Sequence, residues 1–383
     1  MGCAREFAGG KPLAVSEGMT IKAAPQAPPF CPNPDCAFHR KPTGWKYDLD
    51  GEFYRKNPPH RVKRFVCCSC GRHFSEQTFR TTYWLKRPKL LPRVMKALLS
   101  CSCLRQIARA EEASPQTILL HANRLGRYCQ LFHERHRPRG PLTEPIALDG
   151  FQSFEYSQFH PTWYHVVAGN DSHFFYGFTD SELRRSGRMT KSQKRTRVIL
   201  EEKYGKPDPR SIEKETAAVL RIVTRGSQSI ELHTDEHQDY PRALKRLAHL
   251  KVEHRTISSR AVRTTMNPLF SINLLDLLIR HGGADHKRET IAFPKRRQMA
   301  VWRIWVMLVW RNYLKWVSEQ KHEDTPAMRL GIFKRKLRVK DVLKRRLFAT
   351  RIGLPKRWRN YYRGETLTRL MPKGRDHQLF YAF

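Results

Sequence analysis

Three acidic residues lie close together at the end of residues 229–240 (SIELHTDEHQDY). The first half of this stretch alternates apolar and polar residues, as a half-buried strand does, and the turn after it carries Asp235, Glu236 and Asp239. Asp149 likewise follows a short apolar run. Carboxylates are ligands that Mg2+ prefers, and two such ions can activate a nucleophile and stabilise a leaving oxygen in phosphodiester chemistry. Asp149 and Asp235 are therefore candidate catalytic metal ligands.

Two pairs of cysteines form a second candidate site. Cys31 and Cys36 lie in CPNPDC, and Cys67 and Cys70 lie in CCSC at the other end of a short polar segment. Cysteine pairs on two tight turns can hold one Zn2+ in a tetrahedral site and so stabilise a segment with a small core. Cys68 is an alternative ligand, and a group of unrelated buried cysteines is the alternative interpretation. The spacing favours one structural Zn2+ in a zinc ribbon.

The segment after the cysteines is predicted to be helical. Apolar residues recur at helical spacing from residue 88, Ser114 is a good N-cap, and Pro115 suits the first turn of a helix that is predicted to run through Leu125. This pattern is typical of a helix-turn-helix, whose second helix enters the major groove of DNA, and a plain helical hairpin is the alternative. The residues expected to face DNA are Gln116, Thr117, His121, Asn123 and Arg124.

The second half of the chain predicts an α/β domain with a mixed sheet. Periodicity predicts strands at residues 146–154, 163–167, 173–178, around 230 and at 252–257. It predicts helices at residues 213–223, 241–250 and 298–317, the last being a core helix because its tryptophans fall toward one face. The order strand, strand, strand, helix, strand, helix, strand, helix is the one that a ribonuclease H-like fold requires. The strand around residue 230 is expected to be central.

The chain is expected to be multidomain. The predicted parts are a leader (1–29), a zinc-ribbon module (30–87), a helix-turn-helix (88–136), a Pro-rich linker (137–145), the α/β domain (146–318) and a basic helical C-terminal extension (319–383). A basic insertion at residues 181–212 is either a solvated arm that follows phosphates or a disordered loop. The C-terminal extension is either a DNA-binding tail or a solvated helix face.

The overall charge points to a polyanionic partner. Lys and Arg number 72 against 35 Asp and Glu, which gives a formal net charge of +37 spread along the chain. This charge favours nucleic acid, above all double-stranded DNA. The N-terminus lacks the pattern of a signal peptide, and the most apolar helix contains Arg303, Arg311 and Lys315, so we expect no membrane insertion and a cytoplasmic location.

Three segments, RFVCCSCGRHF, HTDEHQDYPRAL and HKRETIAFPKRRQ, together with a later TPAMRLG, carry a family resemblance. With them, residues 31–350 resemble the DDE transposases of bacterial insertion sequences, especially the group related to the smallest such elements. The resemblance implies binding to the terminal inverted repeats of an element, followed by DNA cleavage and strand transfer that depend on two Mg2+ (or Mn2+) ions. It also implies a homodimer or higher oligomer on DNA in the bacterial nucleoid.

The third acidic ligand that the resemblance implies departs from the family pattern. The related proteins carry Glu at the start of a helix and Asn three residues later, and a gapless count places Asn273 and Asp276 at these positions. Residues three apart share a helix face, so Asp276 is the expected third acid and Asn273 an assisting ligand. Glu289 is the alternative third acid. The neighbouring basic residues expected to contact DNA are Lys287, Arg288, Lys295, Arg296 and Arg297.

Two functions from different classes fit these features. The first is a transposase with a complete carboxylate site. The second is a catalytically inactive DNA-binding regulator derived from a transposase, which would use the zinc ribbon and the helix-turn-helix but perform no chemistry. Metal-dependent nicking or joining of DNA distinguishes the two.

Overall fold

The computed structural model describes residues 27–56, 58–287 and 293–369. Its first part contains α1 (Ala37–Arg40), β1 (Tyr47–Tyr54), β2 (Arg61–Cys67), β3 (His73–Ser75), α2 (Leu90–Leu98), α3 (Leu104–Ala110) and α4 (Pro115–His136). The middle contains β4 (Ile146–Glu155), β5 (Ser157–Gly169), β6 (Phe175–Glu182), α5 (Lys191–Tyr204), α6 (Ser211–Val223), β7 (Ser229–Thr234), α7 (Asp239–Lys245), β8 (Lys251–Thr256) and α8 (Phe270–Gly282). The last part contains α9 (Arg297–Val309), α10 (Pro326–Arg329), α11 (Val339–Val342) and α12 (Lys356–Arg363).

The larger sheet has five strands in the order β6-β5-β4-β7-β8. Strand β5 pairs antiparallel with both β4 and β6, while β7 pairs parallel with both β4 and β8. The predicted strands and their mixed arrangement are therefore present. The expectation that the strand around residue 230 is central is wrong, because β7 lies second from an edge and β4 occupies the middle.

The strands of this sheet carry the apolar patterns that the sequence predicts. Strand β6 is buried along nearly its whole length, and the apolar residues Ile230 and Leu232 of β7 are buried while Glu231 between them is half-exposed. Helix α6 packs against β5 and β6, and α8 packs against β4 and β5. Helix α8 therefore packs on the strand that carries Asp149.

Helix α4 is much longer than predicted and does not end at Leu125. Ser114 caps it by accepting a hydrogen bond from the Thr117 backbone N–H, and buried apolar residues continue at helical spacing well beyond Leu125. At Gly126 a Cβ atom would lie 2.3 Å from the Cβ atom of Trp302, so only glycine allows α4 and α9 to approach this closely. The two helices pack along each other in one core shared with the large sheet. The predicted linker at residues 137–145 therefore does not separate two cores.

In the described part of the C-terminal extension, helix α12 packs one face into the core and leaves basic residues of the other face, such as Lys356 and Arg359, at the surface. Trp358 and Tyr361 of α12 are fully buried in the same core as the large sheet. The Trp358 indole N–H donates to the carbonyl of Phe178 at 3.0 Å, and the Gln130 amide donates to the carbonyl of Trp358 at 2.5 Å. Residues 356–363 thus complete the core.

The basic insertion, in contrast, contains α5, a capped helix with no buried residue, which agrees with the expectation of a solvated segment.

The smaller sheet is antiparallel, with the strand order β1-β2-β3. Its core is formed by cysteines and by the stacked rings of Phe65 and Phe74, whose centroids lie 5.5 Å apart. It contacts the C-terminal part of the chain, because a ring nitrogen of His39 lies 2.8 Å from the Thr350 hydroxyl. None of the helices in the described part of the chain is long and apolar enough to cross a bilayer.

Candidate functional site

The four predicted zinc ligands come together at one end of the smaller sheet. The Sγ atoms of Cys31, Cys36, Cys67 and Cys70 all lie within 4.8 Å of one another, and those of Cys31 and Cys70 lie 3.6 Å apart. Four thiolates placed about 2.3 Å from one ion in a tetrahedron have sulfur atoms about 3.8 Å apart. The donor set and its spacing therefore fit a closed structural Zn2+ site, and the prediction that these cysteines form one cluster is confirmed.

The surroundings of Cys67 also suit metal binding. The Trp45 indole N–H donates to Cys67 Sγ at 3.2 Å. Burial opposes ionisation of Cys67, but this hydrogen bond and the backbone N–H groups of Cys70 and Ser69 outweigh it and lower the pKa of the thiol to about 6. The alternative ligand Cys68 is exposed and donates to an Asp48 carboxylate oxygen at 3.4 Å, outside the cluster.

Asp149 lies within β4, and Asp235 directly follows the end of the neighbouring parallel strand β7. In the parallel pair of β4 and β7, Ile146 lies opposite Leu232 and Ala147 opposite His233. Two residues further along both strands, the same register sets Asp149 beside Asp235. The two side chains interact electrostatically: burial raises the pKa of Asp149 to about 6, and the negative charge of Asp235 adds to the effect.

Local hydrogen bonds orient both carboxylates. The Gly150 N–H donates to one Asp149 oxygen at 2.6 Å, and the His237 N–H donates to one Asp235 oxygen at 3.0 Å. Gly150 has no room for a side chain, because a Cβ atom there would lie 1.6 Å from the indole nitrogen of Trp163. The carboxylates therefore stand on a backbone that the sheet and this indole hold in place.

Asp276 approaches the same region from α8. It is half-buried, as is Asn273 one turn earlier, and α8 packs against β4. The buried Tyr240 lies near enough to Asp149, Asp235 and Asp276 to be affected by all three charges. Its pKa is raised by burial and, next, by the negative charges of Asp149, Asp235 and Asp276.

The three aspartates are less tightly grouped than the cysteines. Within residues 27–56, 58–287 and 293–369, the cysteine cluster is the one set of three or more metal-binding side chains whose ligand atoms lie within 4.8 Å of one another. The alternative third acid Glu289 and the predicted DNA contact Arg288 lie outside the described residues.

The predicted DNA-facing surface of α4 is only partly exposed. Gln116 is exposed, and Thr117 and Asn123 are half-buried. The expectation that His121 is exposed is wrong: it is 3% exposed, and its ring nitrogens lie 2.8 Å from the carbonyl of Thr117 and 3.2 Å from that of Arg87.

Arg124 also differs from the prediction of an exposed DNA contact. It is half-buried, and its guanidinium donates to the carbonyls of Thr81 at 3.1 Å and Tyr83 at 2.6 Å. Burial, with the positive charges of neighbouring arginines, lowers its pKa to about 9. Through these contacts Arg124 positions the turn that contains Thr81 and Tyr83.

The basic residues near the start of α9 divide into two groups. Lys287 and Lys295 are exposed and Arg296 is half-buried, so their side chains reach the surface. Arg297 is only 6% exposed, and the prediction that it is available to DNA is wrong. Its guanidinium forms ion pairs with Asp180 and, at 2.7 Å, with Glu182.

Two charged features near these residues were not predicted. Arg357 also pairs with the buried Asp180 at 3.0 Å, so one carboxylate on β6 holds α9 and α12 together. The exposed Arg263, in the loop between β8 and α8, acts on Asp149 and partly offsets the rise of its pKa. The chain contains so many basic residues that nothing in the sequence distinguishes Arg357 and Arg263 from the others.

The chain was compared with known proteins. No family model matches it, and no curated protein matches it. A chain in the cryo-EM structure of the simian T-cell lymphotropic virus intasome in complex with PP2A regulatory subunit B56 gamma is similar to it over 61% of this chain and 70% of that chain, with 14% sequence identity and a TM-score of 0.23. A TM-score this low carries no argument about fold or activity.

Proposed function

We propose that this chain is a DDE-type DNA transposase that binds the ends of its element, cleaves a DNA strand there and transfers it to target DNA. The observation that supports this most directly is the register that sets Asp149 beside Asp235. Two neighbouring carboxylates, one within β4 and one directly after β7, repel each other, and a bound cation relieves that repulsion. Hard divalent ions in such sites serve phosphodiester chemistry.

Within this proposal, Asp149 and Asp235 hold the metal together with Asp276, and Asn273 assists from the same face of α8. Two Mg2+ or Mn2+ ions bound there would stabilise the attacking and leaving oxygens of the phosphodiester. The chain's own contribution is to fix its carboxylates. The hydrogen bonds from the backbone N–H groups of Gly150 and His237 do this for the two strand residues.

The fold supports the proposal at the level of strand order and direction. Three antiparallel strands are followed by two strands parallel to the first of them, with helices between, and we assign residues 146–318 as a ribonuclease H-like domain on this basis. We assign the cysteine cluster and the smaller sheet as a zinc ribbon holding one Zn2+.

Double-stranded DNA is the proposed partner. The net charge of +37 supports a polyanion, and helix α5, which has no buried residue, carries five basic residues against two acidic ones in KSQKRTRVILEEKY. Lys287, Lys295 and Gln116 lie on the surface and are proposed contacts. A dimer or higher oligomer is proposed because two DNA ends must be joined in one reaction.

A catalytically inactive DNA-binding regulator is the second candidate. It is favoured by the exchange of the expected acidic and amide positions, which leaves Asn273 where the related proteins carry Glu. The looser grouping of the three aspartates favours it as well. This candidate keeps the DNA-binding parts and loses the chemistry.

The deciding experiment uses a supercoiled plasmid that carries the sequences flanking the gene. With Mg2+, the wild-type protein should nick or join this DNA, and Asp235→Asn should lower the rate by at least about 100-fold while leaving DNA binding intact. Glu236→Gln is the matched control, because Glu236 is the adjacent acid but is exposed. Binding without cleavage by the wild-type protein supports the regulator, and the absence of binding contradicts both candidates.

A further inference from the structure

Trp84 is an exposed aromatic residue with an unusual backbone conformation. Its side chain is 80% exposed, and its φ of 60° lies in the left-handed region. Bulky side chains rarely adopt this conformation, because Cβ approaches the following carbonyl oxygen. Such a conformation persists where the surrounding structure fixes it, and it is found most often at functional sites. The surroundings of Trp84 therefore need an explanation.

The turn that carries Trp84 is closed and anchored at its ends. The Leu85 N–H donates to the Thr82 carbonyl at 3.0 Å, which closes the turn, and Leu85 is buried. On the other side, the buried Thr81 donates its hydroxyl proton to the carbonyl of Leu343 at 2.8 Å. The residues on both sides of Trp84 are therefore anchored in the core, and the indole of Trp84 is left in solvent.

Arg124 holds the same turn from the side of α4. Its guanidinium donates to the carbonyls of both Thr81 and Tyr83, the residues just before Trp84. The Tyr83 ring is in turn covered by the Arg346 guanidinium, 5.0 Å from the ring centroid. Two half-buried or buried arginines therefore fix the backbone that projects the Trp84 indole into solvent.

The surface around the indole is basic. Residues 77–110 contain no Asp or Glu, and the residues next to Trp84 include the exposed Arg80, Lys86, Arg87 and Lys89. The Arg87 guanidinium donates to the backbone carbonyls of Glu111 and Glu112, in the turn between α3 and α4. The positive charge of these four side chains complements the phosphate backbone of a nucleic acid. An aromatic face amid basic side chains is the arrangement that binds unpaired nucleotides.

We infer that Trp84 stacks on an unpaired base of DNA bound against this basic surface, and that Arg124 is the residue that positions it. The inference rests on the proposed function, because it takes DNA as the partner. It adds that the protein distinguishes DNA with an unpaired base, as at an opened end, from fully paired duplex. An indole stacks on any base, so this contact reads pairing and not sequence.

The test compares two labelled DNAs by fluorescence anisotropy: a fully paired, blunt-ended duplex, and the same duplex with one unpaired 2-aminopurine. Trp84→Ala should weaken binding to the second DNA by roughly 5- to 100-fold and to the first by less than about twofold. Trp84→Phe should recover most of the loss. Wild-type protein should quench the 2-aminopurine fluorescence, and Trp84→Ala should not. Tyr54→Ala is the control, because Tyr54 is equally exposed on β1.

Arg124→Lys should reduce the quenching while leaving affinity for the fully paired duplex within about threefold. Equal affinity of wild type and Trp84→Ala for the unpaired DNA, or equal losses on both DNAs, overturns the inference and leaves the proposed function standing. A wild-type protein that binds neither DNA overturns both.

Discussion

Asp149 lies beside Asp235 because β4 and β7 run parallel in a register that places Asp149 of β4 level with the residue that follows the end of β7. The negative charge of Asp235 adds to burial in raising the pKa of Asp149 to about 6. A cost to folding accompanies this arrangement, because burial and the neighbouring carboxylate both disfavour the ionised form of Asp149. Residues that are kept together at such a cost are candidates for function and not for stability.

The first prediction concerns this cost. The pKa of Asp149 is about 6 in the folded state against an ordinary value of 3.8, so the unfolded state loses its proton first as pH rises. Stability contributed at this site is therefore highest below pH 3.8 and is lost as pH rises to about 6. In metal-free buffer at pH 8, Asp149→Asn should raise the free energy of unfolding, measured with urea, by about 1–3 kcal/mol.

The gain should shrink toward zero near pH 4, and added Mg2+ should stabilise the wild-type protein but not Asp149→Asn. Asp171→Asn is the control, because Asp171 is exposed. A gain that is absent, or that is equal at pH 4 and pH 8, would show that Asp149 is not under this strain.

The second prediction concerns zinc. Purified protein should contain about one Zn2+ per chain, and Cys70→Ser should release it and expose residues 27–79 to proteolysis, because the small core there depends on the metal. Cys68→Ser is the matched control: Cys68 is adjacent in sequence but bonds to Asp48 outside the cluster. Release of zinc by Cys68→Ser and not by Cys70→Ser would replace one ligand with the other.

The third prediction separates a structural arginine from a DNA contact. Arg297→Ala should destabilise the protein by about 3–5 kcal/mol in urea unfolding, because it leaves the buried Asp180 and the nearby Glu182 without their shared partner. Lys295→Ala, two residues earlier and exposed, should change stability by less than about 0.5 kcal/mol but weaken DNA binding. Unchanged stability in Arg297→Ala would contradict the ion-pair assignment.

Local patterns were enough to predict much of the fold. The strands at residues 146–154 and 252–257 lie within a few residues of β4 and β8, because alternation and apolar runs report burial directly. The cysteine pairs likewise carry their own geometric signal in their spacing. The end of α4 was not predictable in the same way, since its continuation past Leu125 depends on packing against α9, which lies far away in the sequence.

Burial of charged residues was the least predictable feature. Arg297 stands in a run of basic residues that is typical of a DNA-facing surface, and only its distant partners Asp180 and Glu182 make it structural. His121 and Arg124 occupy helix positions that a helix-turn-helix exposes. Carbonyl groups of the turn at residues 81–87 bind them both, and nothing in α4 itself indicates that contact.

The most direct test of the account is to map where a divalent ion binds. Fe2+ can replace Mg2+ and, with ascorbate and peroxide, cut the backbone near its site. In zinc-loaded protein, mass spectrometry should find cuts near residues 149–150 and 235–237, and both sets should disappear in either Asp149→Asn or Asp235→Asn but persist in Glu236→Gln. Cuts that occur elsewhere, or that persist in both aspartate variants, would contradict a metal site shared by Asp149 and Asp235.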